Sequence, residues 1–318
     1  MNLLDEIAGA KTIGIAGHER PDGDCIGSCM ACALYIEKAF PDVRADVFAQ
    51  ELPGSLLKNI PASEKIRYNG ATDIEHYDCF IVLDTGAGRL AEAEKHFESA
   101  LKTINIDHHV SNPGAGDVNC IDPEASSTCE VLYRTMDPSL IDEKIARCLY
   151  IGIVTDTGVF RYNTTSAATM ELAGKLMGYC KDFPDIVKEV FYAKTPVQQK
   201  VMGYVLYNSV LSLEGRLITG MITYDELQRL HAGINDIEGI SSQLMLTEGT
   251  EAAVFIHGSQ NGEFRVSMRS AGRVDCAAIT GKLGGGGHAG AAGMTFTGDP
   301  LDMIKTIEQM VKDQLDAV

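Results

Sequence analysis

The sequence predicts an α/β chain in which a doubly wound, mainly parallel sheet over residues 1–180 is followed by a helical connection over 181–212 and a smaller α/β domain over 213–318. Three observations predict it. From Lys11 to about Cys180, short apolar β-rich runs alternate with longer helical patterns, the mark of βαβ units and a parallel sheet. Acidic residues and histidines follow directly on several of those runs, where a doubly wound sheet collects its ligands. Past Lys181-Asp182-Phe183-Pro184 the pattern changes, and a run of four glycines, Gly284 to Gly287, lies in the last third.

In chain order, Lys11–Ala16 reads as the first strand, Asp24–Phe40 as a helix, Asp42–Ala49 as a strand, and Cys79–Leu83 and Leu101–Ile106 as two more strands. Ser126–Met136, Asp142–Thr155 and Ser166–Tyr179 have helical length and spacing, and the connection through Ser212 reads as helical too. In the second block Arg216–Thr223, Glu251–His257 and Glu263–Ser270 read as strands, and Asp236–Leu246, Val274–Leu283 and Leu301–Leu315 as helices, with a glycine-rich turn before the last. A site is expected in the cleft between the blocks, a common place for pockets.

Composition narrows the function classes. At 318 residues and 45% hydrophobic content the chain can bury two ordinary cores. No apolar run approaches the roughly 20 residues that span a bilayer, and the first residues lack a basic n-region, so a cytoplasmic protein is expected. Nine cysteines without a framework spacing fit a reducing compartment. A net charge of −17 argues against gripping long nucleic acid, which needs many Lys and Arg on phosphates. Residues 196–318 are themselves acidic, with 9 basic against 14 acidic side chains. Phosphate recognition is therefore expected from a few placed groups, and the substrate is expected to be short.

The groups behind the apolar runs are His18 with Pro21-Asp22-Gly23-Asp24, then Asp84, then Asp107-His108-His109, then Asp156. Asp22 or Asp24 alone would read as a helix N-cap. Converging at one sheet edge, these residues would instead mix carboxylate and imidazole donors, a set suited to Mn²⁺ or a similar ion. A carboxylate shared by two ions would hold them about 3.5–4 Å apart, the spacing that activates water against a phosphate. Unneutralised, so many carboxylates would repel one another and partly protonate. Neighbours on an extended segment point to opposite sides, so His108 and His109 need different roles, and Asp107 fits an orienting acceptor better than a ligand. Cys25, Cys29 and Cys32 fall at helical spacing and read as core.

These motifs resemble the DHH phosphoesterase superfamily, and Gly284-Gly285-Gly286-Gly287-His288-Ala289-Gly290-Ala291-Ala292-Gly293 resembles the signature of the DHH-associated substrate domain. Within it, a free-standing pair of such domains is similar to the bacterial branch of nanoRNases and phosphatases of 3'-phosphoadenosine 5'-phosphate (pAp). The resemblance implies two Mn²⁺ ions, with Mg²⁺ or Co²⁺ as alternatives. One would be held by His18, Asp22 and Asp84, the other by Asp24, Asp84, His108 and Asp156, with Asp84 as the bridge. It implies that His109 faces the substrate phosphate and that Arg269, in Val266-Ser267-Met268-Arg269-Ser270, binds substrate together with Ser270, Gly285, Gly286, Gly287 and His288. His109, Asp84 and Arg269 are the catalytic candidates. Arg265 and Arg273 read as solvated.

The activity implied is hydrolysis of very short RNA and of pAp, with a phosphodiesterase for cyclic di-AMP or its linear product as the alternative and a non-catalytic nucleotide sensor behind that. The glycine-rich motif counts against an inorganic pyrophosphatase. No partner is implied beyond the short RNA or bisphosphate substrate, neither long nucleic acid nor membrane, with a homodimer left open.

Overall fold

The computed structural model describes residues 1–52 and 54–317 and divides into two compact units, Met1–Ala193 and Lys194–Val318. The first carries a six-stranded parallel sheet of β1 (Thr12–Ala16), β2 (Arg44–Phe48), β3 (Ile66–Arg67), β4 (Cys79–Leu83), β5 (Thr103–Asp107) and β6 (Val118–Ile121). Its order is β3-β2-β1-β4-β5-β6, so the winding reverses between β1 and β4. That is the topological switch point, where the carboxyl ends of adjacent strands leave a crevice. β4 is buried along its whole length, which is why Cys79-Phe80-Ile81-Val82-Leu83 is a continuous apolar run and does not alternate.

Behind the sheet, the Gly23–Ala39 and Glu143–Asp156 helices pack on each other. Gly152 permits the approach: a Cβ there would lie 2.3 Å from Cys129 Sγ and 2.7 Å from Asp24 Oδ1. Cys25, Cys29 and Cys32 are buried in this layer, as small apolar core residues. On the opposite side of the sheet Phe48, Tyr77, Phe80 and Phe97 form a second, aromatic cluster.

The strands expected from apolar runs are present within two residues of their expected ends. β3 and β6 escape sequence reading: β3 is two residues long, and β6 (Val118-Asn119-Cys120-Ile121) is a half-exposed edge with no apolar run. The segment 181–212 divides between the units. Phe183–Val187 and Lys188–Tyr192 stay with the first, whereas the Pro196–Tyr207 helix buries Val201 and Val205 in the second.

The second unit has a mixed sheet in the order β11-β12-β10-β9-β8-β7, comprising β7 (Val210–Ser212), β8 (Leu217–Ile222), β9 (Ala252–Gly258), β10 (Phe264–Ser270), β11 (Gly286–His288) and β12 (Ala291–Phe296). Three expectations are corrected here. Val210–Ser212 is an edge strand and not the tail of a helix, because the Thr195-capped helix closes at Asn208. Residues 236–246 are not one helix: Gly239 at φ 81° separates a 3₁₀ turn, Ile234–Ile237, from Ile240–Leu244. The glycine-rich stretch is not only a turn, since Gly286–His288 pairs antiparallel with Ala291–Gly293.

Candidate metal centre

The first unit gathers its acidic residues and histidines at the switch point. His18 stands two residues past β1, Asp84 directly past β4, and Asp107 closes β5 with His108 and His109 behind it. Asp24 lies in the first turn of the Gly23–Ala39 helix, and Asp156 is the last residue of Glu143–Asp156. The side chains meet in overlapping groups whose donor atoms lie within 4.8 Å of one another: Asp84, Asp107, His108 and His109; Asp24, His108 and Asp156; and His18, Cys25 and Asp84.

Asp84 joins the groups. Its Oδ2 is 3.4 Å from His18 Nε2, and its Oδ1 is 3.7 Å from both His108 Nε2 and His109 Nδ1. The residue is buried and holds a left-handed backbone, φ 63°, which Asp tolerates better than most side chains. Such strain concentrates at functional sites. Asn105 steadies the turn, donating from Nδ2 to Val82 O at 3.2 Å and Thr85 O at 2.8 Å.

His18 and His108 are each committed at one nitrogen. His18 Nδ1–H donates to Glu19 O at 2.8 Å and His108 Nδ1–H to Ala125 O at 3.3 Å. Each Nε2 faces a carboxylate; that of His108 is 3.4 Å from Asp156 Oδ2. Asp22 both caps its helix and approaches the site. Its Oδ1 accepts from Asp24 N and Cys25 N at 3.1 Å and sits 3.9 Å from His18 Nε2.

His109 and Asp107 pair with each other. Asp107 Oδ1 accepts from His109 Nδ1 at 2.7 Å and from the amides of His108 and His109. Its Oδ2 accepts from Asn112 Nδ2 at 2.6 Å. Burial opposes ionisation of Asp107, but the hydrogen bonds from His109 and Asn112 prevail and hold its carboxyl below the usual range. The same bond raises His109 above the ordinary imidazole value.

Burial and crowded charge displace the ionisation of several of these groups. Burial, reinforced by Asp84 and Asp156, pushes the Asp24 carboxyl well above the usual range. Burial pushes Asp156 up to about 6, with His108 opposing and Asp84 adding to the rise. Burial would lower His18, but contact with Asp84 outweighs it and lifts the imidazole to about 11. A divalent cation would reverse each of these shifts, so the carboxylates and the Nε2 atoms that face them fit such an ion.

Some contributors carry no sequence signal. The Thr128 hydroxyl donates to Asp84 Oδ1 at 2.9 Å, and the Thr128 and Cys129 amides donate to Asp24 at 2.6 and 3.0 Å, the N-terminus of the Thr128–Tyr133 helix cradling a carboxylate. Cys25, read as core, has its sulfur grouped with His18 and Asp84. Nothing in the sequence pairs Thr128 with Asp84 or Asp24, because that contact is made across the fold.

The second unit assembles its own candidates. Arg269 on β10 and His288 on β11 both stand opposite Ala291 of β12, which places them in one row on one face of the sheet. Ser270 is tied to the adjoining hairpin through its amide to Gly290 O at 3.1 Å and its Oγ to Ala289 O at 3.3 Å. The glycines differ among themselves. A Cβ on Gly285 would meet Gly293 O at 2.3 Å, and one on Gly287, at φ 145°, would meet Ala292 Cα at 2.5 Å, so packing on β12 requires both. Gly286 has open space. Arg273 pairs with Glu251 at 2.9 Å, in keeping with a solvated face.

Comparison with known proteins adds a second line of support. Residues 12–153 match the model of the DHH family, N-terminal domain, and residues 224–316 match the DHHA1 domain. A bifunctional oligoribonuclease and PAP phosphatase of Thermus thermophilus is 30% identical over 99% of this chain and 94% of its own. One of the same description from Bacillus subtilis is 28% identical, covering 95% of each chain. The crystal structure of an exopolyphosphatase-related protein of Bacteroides fragilis superposes with a TM-score of 0.89 at 26% identity, over 99% of this chain and 96% of that one. No helix among the described residues is long and apolar enough to cross a membrane.

Proposed function

The chain belongs to the DHH family of phosphoesterases, and from that premise we propose that it is a Mn²⁺-dependent hydrolase that cuts very short oligoribonucleotides and pAp to mononucleotides. The observation that carries this reading is the placement of Asp84, whose two oxygens address His18 on one side and His108 on the other. His18, Asp22 and Asp84 would hold one ion, and Asp24, Asp84, His108 and Asp156 the other. Two such ions, when bound, supply Lewis acidity, lower the pKa of an attacking water and offset phosphate charge.

The chain's own groups do the rest. His109, fixed at Nδ1 by Asp107, offers Nε2 to the phosphate oxygens where charge builds during attack. Thr128 steadies Asp84 so that its carboxylate keeps both orientations. From the second unit, Arg269 supplies a forked donor to phosphate, while Ser270, His288 and the backbone of Gly285, Gly286 and Gly287 take up the nucleotide. The overall acidity of the chain restricts recognition to these few groups, which suits short substrates.

The test is a parallel assay of the Mn²⁺-loaded protein on pAp, a diribonucleotide, a longer oligomer, cyclic di-AMP and pyrophosphate. Turnover of pAp and the diribonucleotide well above the other three is expected. Preference for cyclic di-AMP or pyrophosphate would overturn the reading.

A further inference from the structure

The proposed metal centre includes Asp156 but not the loop that follows it. Gly158, Val159 and Phe160 are three consecutive left-handed residues, at φ 56°, 59° and 61°. That conformation is unusual for a β-branched or bulky side chain and survives only where its surroundings impose it. The loop is tied down from within: Val159 N donates to Val154 O at 2.8 Å, Phe160 N to Thr157 Oγ1 at 3.0 Å, and Arg161 N and Tyr162 N to Thr157 O at 2.9 and 3.0 Å.

This folding lays the Tyr162 ring against the Gly158 backbone. A Cβ on Gly158 would lie 2.5 to 2.8 Å from Cζ, Cε1 and Cε2, so only glycine admits the ring there. Gly158 is two residues past Asp156, which keeps its Cα within about 7 Å of that of the candidate ligand. Tyr162 is nevertheless 50% exposed, a large aromatic left open beside a charged cluster. Next to it, the Arg161 guanidinium lies 6.0 Å from the Tyr162 ring centroid and 5.6 Å from that of Phe191. Its Nε donates to Gly158 O at 2.8 Å, and among the described residues it meets no carboxylate, unlike Arg44, Arg67, Arg134, Arg147 and Arg273.

We propose that Tyr162 is the platform on which a base of the substrate stacks, and that Arg161 beside it contacts a phosphate other than the one attacked. The proposal rests on the reading of the substrate as a nucleotide. Stacking on an aromatic ring is indifferent to base identity and needs no basic track, which suits an acidic protein. A guanidinium held beside two rings and tied through Nε to Gly158 O is restricted in advance for contact with phosphate.

The chain has no tryptophan, so Tyr162→Trp places a single fluorescent reporter at the platform. With Mn²⁺ present, AMP should quench it in a saturable way and ribose 5-phosphate should not. No quenching by AMP, or equal quenching by both, overturns the proposal. In turnover of pAp, Tyr162→Ala should raise KM about 5- to 100-fold with kcat within about twofold, and Tyr162→Phe should behave as wild type. A fall in kcat at unchanged KM, or failure of Tyr162→Phe, would make the ring a structural prop. Arg161→Gln should weaken pAp, with its second phosphate, more than AMP; equal loss removes Arg161 from the proposal. Should the wild type turn over no nucleotide, the functional reading falls, while the fluorescence titration, which needs no turnover, still decides the stacking claim.

Discussion

Asp84 Oδ2 lies 3.4 Å from His18 Nε2, although the two residues follow different strands and are 66 positions apart. The contact exists because β1 and β4 are neighbours at the point where the sheet reverses its winding. It makes one carboxylate the meeting place of both halves of the cluster.

Asp84→Asn is the sharpest probe of that arrangement. Asn is nearly isosteric and also tolerates positive φ, so the fold should persist. Hydrolysis should fall at least about 100-fold, and bound Mn²⁺ should drop from two ions per chain to one or none. Near wild-type turnover with two ions by elemental analysis would remove the bridging role.

His109 and Asp107 should behave as a positioned pair. His109→Ala is expected to lower kcat while both ions remain, and Asp107→Asn to lower it about 10- to 100-fold by releasing the imidazole. Combined, the two substitutions should cost little more than His109→Ala alone. Fully additive losses would mean that Asp107 acts independently of His109.

Much of this site is legible in the sequence because its residues close apolar runs. His18, Asp84 and Asp107 stand at the ends of strands made from such runs, and Asp156 closes a helix whose inner face is apolar. The rule that a doubly wound sheet collects ligands at its strand ends is enough to expect them at one edge, whereas the strand order that brings His18 onto Asp84 comes from the fold. Thr128 and Asn105 are different. A hydroxyl or an amide has no periodicity, and its partner is set by tertiary packing. The same limit hid β11 and β12, whose Gly and Ala residues carry weak strand propensity and pair only because β10 is there to receive them.

The second unit should bind substrate and leave the metals alone. Arg269→Lys removes the forked donor and His288→Ala removes a ring from the same row; each should retain two Mn²⁺ ions while kcat/KM falls. Loss of metal in either variant would contradict that division of work.

Asp46 gives a pH test of the first unit's stability. It is buried on β2, where Arg67 Nε at 2.8 Å, Arg44 and the Tyr77 hydroxyl at 2.7 Å satisfy it. Burial opposes its ionisation, yet these partners hold the carboxyl below the ordinary range. A carboxylate depressed in the folded state stabilises above its unfolded pKa of about 3.9, and the contribution is lost as pH falls through the folded value. Asp46→Asn should therefore cost about 2 kcal/mol at pH 7 and progressively less below about pH 4. A deficit in unfolding free energy that stays constant from pH 7 to pH 3 would be contrary to this account.

The central claim, hydrolysis confined to very short nucleotide substrates by a metal cluster on an acidic chain, is tested most directly by a length series. Labelled RNA from two to twenty nucleotides, assayed at constant Mn²⁺ over a range of KCl, should show activity falling steeply beyond about five nucleotides and little salt dependence on the shortest, since each phosphate neutralised along a single strand would add a slope of about −0.7. Equal rates on the dinucleotide and the twenty-mer, with affinity rising along the series and falling with salt, would contradict it.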